Sequence, residues 1–305
     1  MRKSILQAAR LLQFLILFTF FLAVSSCSLF LSAPSLPARH ALVIGIADYQ
    51  TVNDLSYTDD DANAMHDLLV AQGWDVGAAI LNSTATKAGI KAAIQSFLSS
   101  IPKGDYALIY YSGHGWEADS TSYLVPYDYD FSSNSKLISE IEMANWLSSY
   151  AITDNVIFIA DSCYSGGFIP DSEAMDSVAQ DYSAYNFTTK AAFPFFAFAY
   201  LTTLVQKNAI SDGSLVPVVL SAAGSLEFSY ESSSLKHGVF TYYLMESAEF
   251  GDSNGDGFVT ATEAYRYAVN KISEKWNNSY ATWDEDFYPH ISGGLRDIVL
   301  FSTKP

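Results

Sequence analysis

A chain of 305 residues with 50% hydrophobic content can bury a sizeable core, as a single elaborated α/β domain would. Its 33 acidic against 16 basic residues leave a net charge of −17, which excludes nucleic acid and anionic lipid surfaces as electrostatic partners and favours basic substrates.

The N-terminus carries Arg2, Lys3 and Arg10, then Leu11 to Val24 almost without a polar interruption, then Ser25, Ser26 and Cys27. A charged start, an apolar stretch of secretory length and small residues at its end read as an export signal over residues 1–26. Val24-Ser25-Ser26-Cys27 resembles a bacterial lipobox, whose cysteine is lipidated and begins the mature chain. The alternative is an uncleaved anchor from Leu11 through Leu31. Either way the chain is expected to be exported and held at the membrane of a bacterial cell envelope, in the first case through a lipid on Cys27. Residues 27–38, with Pro34 and Pro37, read as a tether, and residues 39–305 as the folded domain.

Within that domain Ala41 to Ala47 is a buried apolar strand, and Asp59 to Ala71 has Ala62, Met65, Leu68 and Leu69 at helical spacing. Trp74 to Leu81 is a second strand, Thr86 to Ile101 a second helix, and Asp105 to Tyr111 a third strand. Ser122 to Pro126 is a short extended piece. Ser139 to Tyr150 is a helix that gives the strand Val156 to Ala160 its crossover. Residues 171–215 break the pattern as a long insertion, with an aromatic run, Ala192 to Tyr200, too short to span a bilayer. The sheet resumes at Val216 to Ala222, a helix covers Gly238 to Phe250, and Ile298 to Phe301 is an edge strand. Such alternation predicts a doubly wound, mostly parallel sheet with helices on both faces.

Two of these strands run into chemistry. Asp105 to Tyr111 leads into Ser112, Gly113, His114 and Gly115, and Val156 to Ala160 leads into Asp161, Ser162, Cys163, Tyr164, Ser165, Gly166 and Gly167. Open α/β sheets place their ligands at the carboxyl ends of strands. If the two strands are parallel neighbours, His114 and Cys163 face one crevice, a base beside a thiol that needs one. The amides of Gly115 and Cys163 can then form an oxyanion hole. Taken singly, His114 would be a loop residue and Cys163 a small core hydrophobe. With Cys27 and Cys163 both assigned, the 2 cysteines of the chain leave none for a disulfide or a thiolate-bound metal.

The paired motifs YYSGHG and DSCYSGG resemble those of the caspase-like cysteine peptidases, the clan that also holds gingipains and separase, and most closely its metacaspase and bacterial branches. The resemblance implies a caspase-like α/β fold and a cysteine-type endopeptidase acting on protein or peptide substrates through a His114–Cys163 dyad. It also implies that Asp61 and Asp161, with Ser112 beside them, bind an Arg or Lys side chain before the scissile bond. Animal caspases, which cut after Asp, place an arginine before the segment matching Asp61; here no Lys or Arg lies between Arg39 and Lys87. Read as residues alone, Asp61 is equally a helix N-terminal carboxylate and Asp161 a turn cap. Metacaspases commonly bind activating calcium through acidic residues near Asp128 and Glu140, but their paired aspartates are Glu140-Ile141 here.

A second constellation lies at Asp252 to Glu263. Asp252, Asn254, Asp256, the Phe258 carbonyl, Thr260 and Glu263 fall at the ligand positions of an EF-hand loop, with Gly257 at its sharp turn. Calcium is therefore an expected cofactor, structural rather than catalytic. The competing account is a polar turn in which Thr260 caps a helix and Glu263 completes a capping box. The rival reading of the whole chain is a non-catalytic, calcium-binding surface lipoprotein on the same scaffold.

Overall fold

The computed structural model describes residues 37–119, 121–163, 217–224, 227–277, 286–292 and 298–303. The export signal, the lipobox Cys27, the tether up to residue 36 and the 171–215 insertion lie outside the described residues.

A seven-stranded sheet runs through the centre of the molecule. Strand β1 (Arg39–Gly45) is flanked on one side by two short pieces, β2 (Asp75–Val76) and β3 (Ile80–Leu81), and on the other by β4 (Tyr106–Ser112). Then follow β8 (Asn155–Asp161), β9 (Val218–Ser221) and β13 (His290–Ser292). All pairings are parallel except β13 against β9. The apolar runs of β1, β4 and β8 are buried almost throughout, as strands covered on both faces must be.

Successive side chains alternate between two cores. Val43, Tyr110 and Ile159 point into one, where α1 (Thr58–Ala71), α4 (Val239–Phe250) and α5 (Ala261–Ile272) bring Met65, Leu69, Phe240, Leu244 and Tyr265. Ile44, Ile109 and Phe158 point into the other, against Ile90, Ile94 and Leu98 of α2 (Lys87–Ser100) and Met143 and Leu147 of α3 (Glu140–Tyr150). Each fully buried aliphatic or aromatic side chain contributes about 1.5–3 kcal/mol, so these two layers hold the domain together. Cys163 is free rather than bridged and adds no covalent staple.

The reading of Trp74 to Leu81 as one strand differs from the structure, where pairing to β1 is interrupted between Val76 and Ile80 at Gly77-Ala78-Ala79. Gly77 has no side chain to pack and weakens an edge strand at that point. Trp74 is buried by a different route, its indole N–H donating to the Leu300 carbonyl at 2.9 Å. The Ser122 to Pro126 piece belongs to a small antiparallel sheet of β5 (Gly115–Ala118), β6 (Thr121–Leu124) and β7 (Ile138–Ser139), which begins directly after His114. The C-terminal strand β14 (Val299–Ser302) is not an edge of the main sheet. It pairs with β12 (Phe258–Thr260), at the end of the acidic loop. A further ribbon, β10 (Glu231–Ser232) with β11 (His237–Gly238), leads into α4.

Candidate active site

Ser112 and Asp161 are register partners at the carboxyl ends of β4 and β8, so the chains leaving them run side by side off the sheet edge. His114 and Cys163 both line the cleft formed there, with Asp61, Ser112, Ser229, Glu231 and Gly238 among its other walls. Gly115 lies directly against the backbone of Cys163: a β-carbon at that position would overlap the Cys163 carbonyl and stand 3.3 Å from its amide nitrogen. Only glycine allows that approach.

The histidine is held at three points. Its amide N–H donates to the Tyr49 hydroxyl at 2.7 Å, its carbonyl accepts from the Tyr111 hydroxyl at 3.0 Å, and its Nε2 is 2.8 Å from the Asn53 carbonyl. A carbonyl can only accept, so Nε2 carries a hydrogen and the unprotonated nitrogen of the neutral ring is Nδ1. The loop supplying Tyr49 and Asn53 is pinned in turn. Tyr49 N–H donates to Asp54 at 2.9 Å, while Ser56 and Tyr57 N–H donate to the two carboxylate oxygens of Glu231 at 2.9 and 2.7 Å. Burial lowers the His114 pKa, so the ring is neutral at pH 7. Burial first, then the charges of Asp161 and Glu231, raise that of Cys163, whose Sγ contacts the Ser229 carbonyl at 3.6 Å. The resting pair is neutral thiol and neutral imidazole.

Behind the thiol lie the two carboxylates. Asp61 is fully buried on α1 and accepts from the Ser112 hydroxyl at 3.1 Å, the Gly238 amide at 3.0 Å and His237 Nδ1 at 2.7 Å. Asp161 accepts from the Ser229 hydroxyl at 2.6 Å and from the Thr241 hydroxyl and amide at 2.7 and 3.1 Å. Burial and then the Asp61 charge push the Asp161 carboxyl up to about 6. Burial likewise raises Asp61, against the lowering effect of His237, Gly238 and Ser112. Neither aspartate is the simple helix or turn cap that its sequence position also allowed.

The residues of the other constellations are placed differently. In the 252–263 loop, Asp252 accepts from the Gly255 and Gly257 amides at 2.7 and 2.8 Å, Asn254 from Asp256 at 2.8 Å, and Asp256 from Phe258 at 2.8 Å. Glu263 completes a capping box with Thr260 and accepts from the Ser253 hydroxyl at 2.9 Å. The spacing suits a hard cation, while the side chains as placed serve the turn and the cap of α5. Asp128 accepts from the Lys87 amide at 2.9 Å, and Glu140 is buried on the Ser122 amide at 3.1 Å. Among the described residues no three His, Cys, Asp or Glu side chains form a group able to hold a metal ion. Nor, among them, is any helix long and apolar enough to cross a membrane.

Sequence reasoning did not find Tyr49, Asn53, Glu231, Ser229, His237 or Thr241. Asn53 acts through its carbonyl, for which its side chain gives no signal, and Glu231 reaches a loop 174 residues earlier in the chain. His237 could have been noticed as a histidine immediately before the glycine that opens α4.

A parallel sheet with helices on both faces, carrying a histidine and a cysteine on adjacent strand ends, defines the caspase-like class. A family model described as the caspase domain matches residues 38–283, and the chain belongs to that family, one of cysteine peptidases. Caspase-1 from Spodoptera frugiperda superposes with a TM-score of 0.54 at 12% identity, over 90% of this chain and 95% of that one. A protein from Geobacter sulfurreducens does so with a TM-score of 0.53 at 16% identity, over 84% of this chain and 92% of that one. At such identities the likeness is one of fold. Comparison with curated proteins gave no match.

Proposed function

We propose that the protein is a cysteine endopeptidase that hydrolyses peptide bonds after Arg or Lys. The observation that carries this reading is the cleft itself, where a thiol and an imidazole anchored through Nε2 stand over two buried carboxylates. His114 Nδ1 takes the proton of Cys163 Sγ, and the thiolate attacks the scissile carbonyl carbon while its π electrons move to oxygen. The amides of Gly115 and Cys163 receive that oxyanion. As the C–N bond breaks, the Nδ1 proton passes to the leaving amine. Water, giving a proton to Nδ1, then cleaves the thioester, and the proton returns to Sγ.

Asp61, Asp161 and Ser112 receive the side chain before the scissile bond. Burying an unpaired charge costs several kcal/mol, so a cation fits this floor and an anion does not. A fluorogenic peptide panel with Arg, Lys, Asp and neutral residues at that position, run with the wild type beside Cys163→Ala, tests the reading. Turnover of basic peptides by the wild type only is expected. Turnover of no peptide by the wild type would leave the non-catalytic surface lipoprotein as the better account, and equal turnover by the variant would overturn Cys163 as the nucleophile.

Two further proposals are supported by sequence alone. The 252–263 loop takes a structural calcium ion through Asp252, Asn254, Asp256, the Phe258 carbonyl, Thr260 and Glu263, with Glu263 leaving its capping partners to do so. The mature chain begins at a lipidated Cys27 and is anchored in the bacterial cell envelope. Intact mass of the membrane-bound protein tests the latter, since retention of residues 1–26 would contradict it.

A further inference from the structure

The two carboxylates of the cleft are close enough to oppose each other. A β-carbon built on Gly238 would stand 2.5 Å from Asp161 Oδ2 and 2.9 Å from Asp61 Oδ2. Like charges crowded in this way do not both stay ionised unless something compensates. The donors to Asp161, Ser229 and Thr241, are neutral, as are two of the donors to Asp61, the Ser112 hydroxyl and the Gly238 amide. Among the described residues, the group that pairs with either carboxylate and can carry positive charge is His237, whose Nδ1 lies 2.7 Å from Asp61 Oδ1.

His237 reaches Asp61 from outside the cleft. Its imidazole is not among the cleft walls, and its side chain is 22% exposed where that of Asp61 is 0% exposed, so it meets solvent on the side away from its partner. The groups facing it are Asp60 and Asp61 from α1 and Tyr242 from α4, its ring 6.1 Å away; Tyr110 of β4 and Asp161 of β8 stand beyond Asp61. A carboxylate accepts from Nδ1–H whether or not Nε2 is protonated, so titration of the ring changes its charge without breaking the contact.

We propose that His237 is a specificity-determining positioning residue that stands behind the pocket floor, donates to Asp61 from outside the cleft and keeps it anionic and oriented for a basic side chain. This inference rests on the reading of the cleft as a basic-residue pocket. Without the imidazole, burial and the neighbouring Asp161 place a proton on the carboxylate pair at higher pH, and the floor loses its hold on a cation while the dyad is untouched.

The test measures kcat/KM for two fluorogenic peptides that differ only in Arg or citrulline before the scissile bond, from pH 5 to 9, on the full chain. Citrulline keeps the shape of Arg without its charge, and the ratio cancels the titration of the dyad. For the wild type the Arg-to-citrulline ratio is high at pH 8 and falls as the pH drops through about 6, where Asp161 takes a proton. In His237→Ala the midpoint of that fall moves up by about one pH unit or more, so the ratio near the wild-type midpoint drops several-fold and recovers at pH 9. His237→Asn, whose amide nitrogen can stand where Nδ1 stands, places the midpoint between the two and serves also if the alanine variant does not fold. A wild type with a strong Arg preference and an Ala midpoint that is unmoved or lower overturns the role of His237 alone. A wild type that prefers Arg at no pH overturns the basic pocket, and this inference with it.

Discussion

Replacing Asp161 by Asn should stabilise the protein at alkaline pH while removing the proposed preference for basic substrates. The folded state holds this carboxyl at about 6 against an ordinary value of 3.8, because it is buried beside Asp61. A pKa raised on folding means that the folded state binds the proton more tightly. Its favourable contribution is present in full below the unfolded value and is lost as the pH rises through about 6. A shift of about two units corresponds to about 2.5 kcal/mol between pH 8 and pH 4, a difference that an uncharged amide in the Asp161→Asn variant does not experience. The amide can accept from Thr241 through its oxygen and donate to the Ser229 hydroxyl through its nitrogen, so the absolute gain at pH 8 is smaller, about 1–2 kcal/mol. The assay is urea unfolding of both proteins at pH 4, 6 and 8, paired with kcat/KM for Arg-containing and neutral peptides. A stability difference that does not grow in favour of Asp161→Asn with pH would refute the electrostatic argument. An unchanged Arg preference would refute the pocket.

Gly115→Ala is expected to abolish turnover and destabilise by several kcal/mol, since its β-carbon overlaps the Cys163 carbonyl; peptidase rate and melting temperature check it, and near-normal values would contradict the close approach. Tyr49→Phe removes the acceptor of the His114 amide, and about 1 kcal/mol of stability and a several-fold loss in kcat are expected, with circular dichroism melting and steady-state kinetics as the readouts. If calcium occupies the 252–263 loop, millimolar calcium raises the melting temperature over chelator and Glu263→Ala removes the difference. An equal response in both proteins would place any ion elsewhere.

Much of this was legible in the chain. The buried runs of β1, β4 and β8 and the helical spacing of Met65, Leu69, Ile90, Ile94 and Leu98 declare their periods because the two cores demand them. The glycine-rich turns after two such strands marked His114 and Cys163, and register at Ser112 and Asp161 brings both to one edge. The supports of that edge were hidden for a physical reason. Tyr49, Asn53 and Glu231 act across long sequence separations, all three through or upon backbone groups, and backbone chemistry leaves no trace in residue type. The acidic loop shows the reverse case. One pattern of Asp, Asn, Thr and Glu satisfies both an ion and a capped turn, because the same oxygens accept from amides as readily as they bind a cation.

The central claim is that Cys163 is the nucleophile of a pocket built for basic side chains, and covalent labelling tests it most directly. The full chain is treated with a peptidyl-Arg chloromethyl ketone and with its Asp counterpart, and intact mass and peptide mapping are followed beside turnover. The account predicts one adduct per chain from the Arg reagent, on Cys163, loss of turnover in proportion to it, and none in Cys163→Ala or from the Asp reagent at the same concentration. Full turnover with Cys163 unlabelled, or peptide hydrolysis that persists in Cys163→Ala, would contradict it.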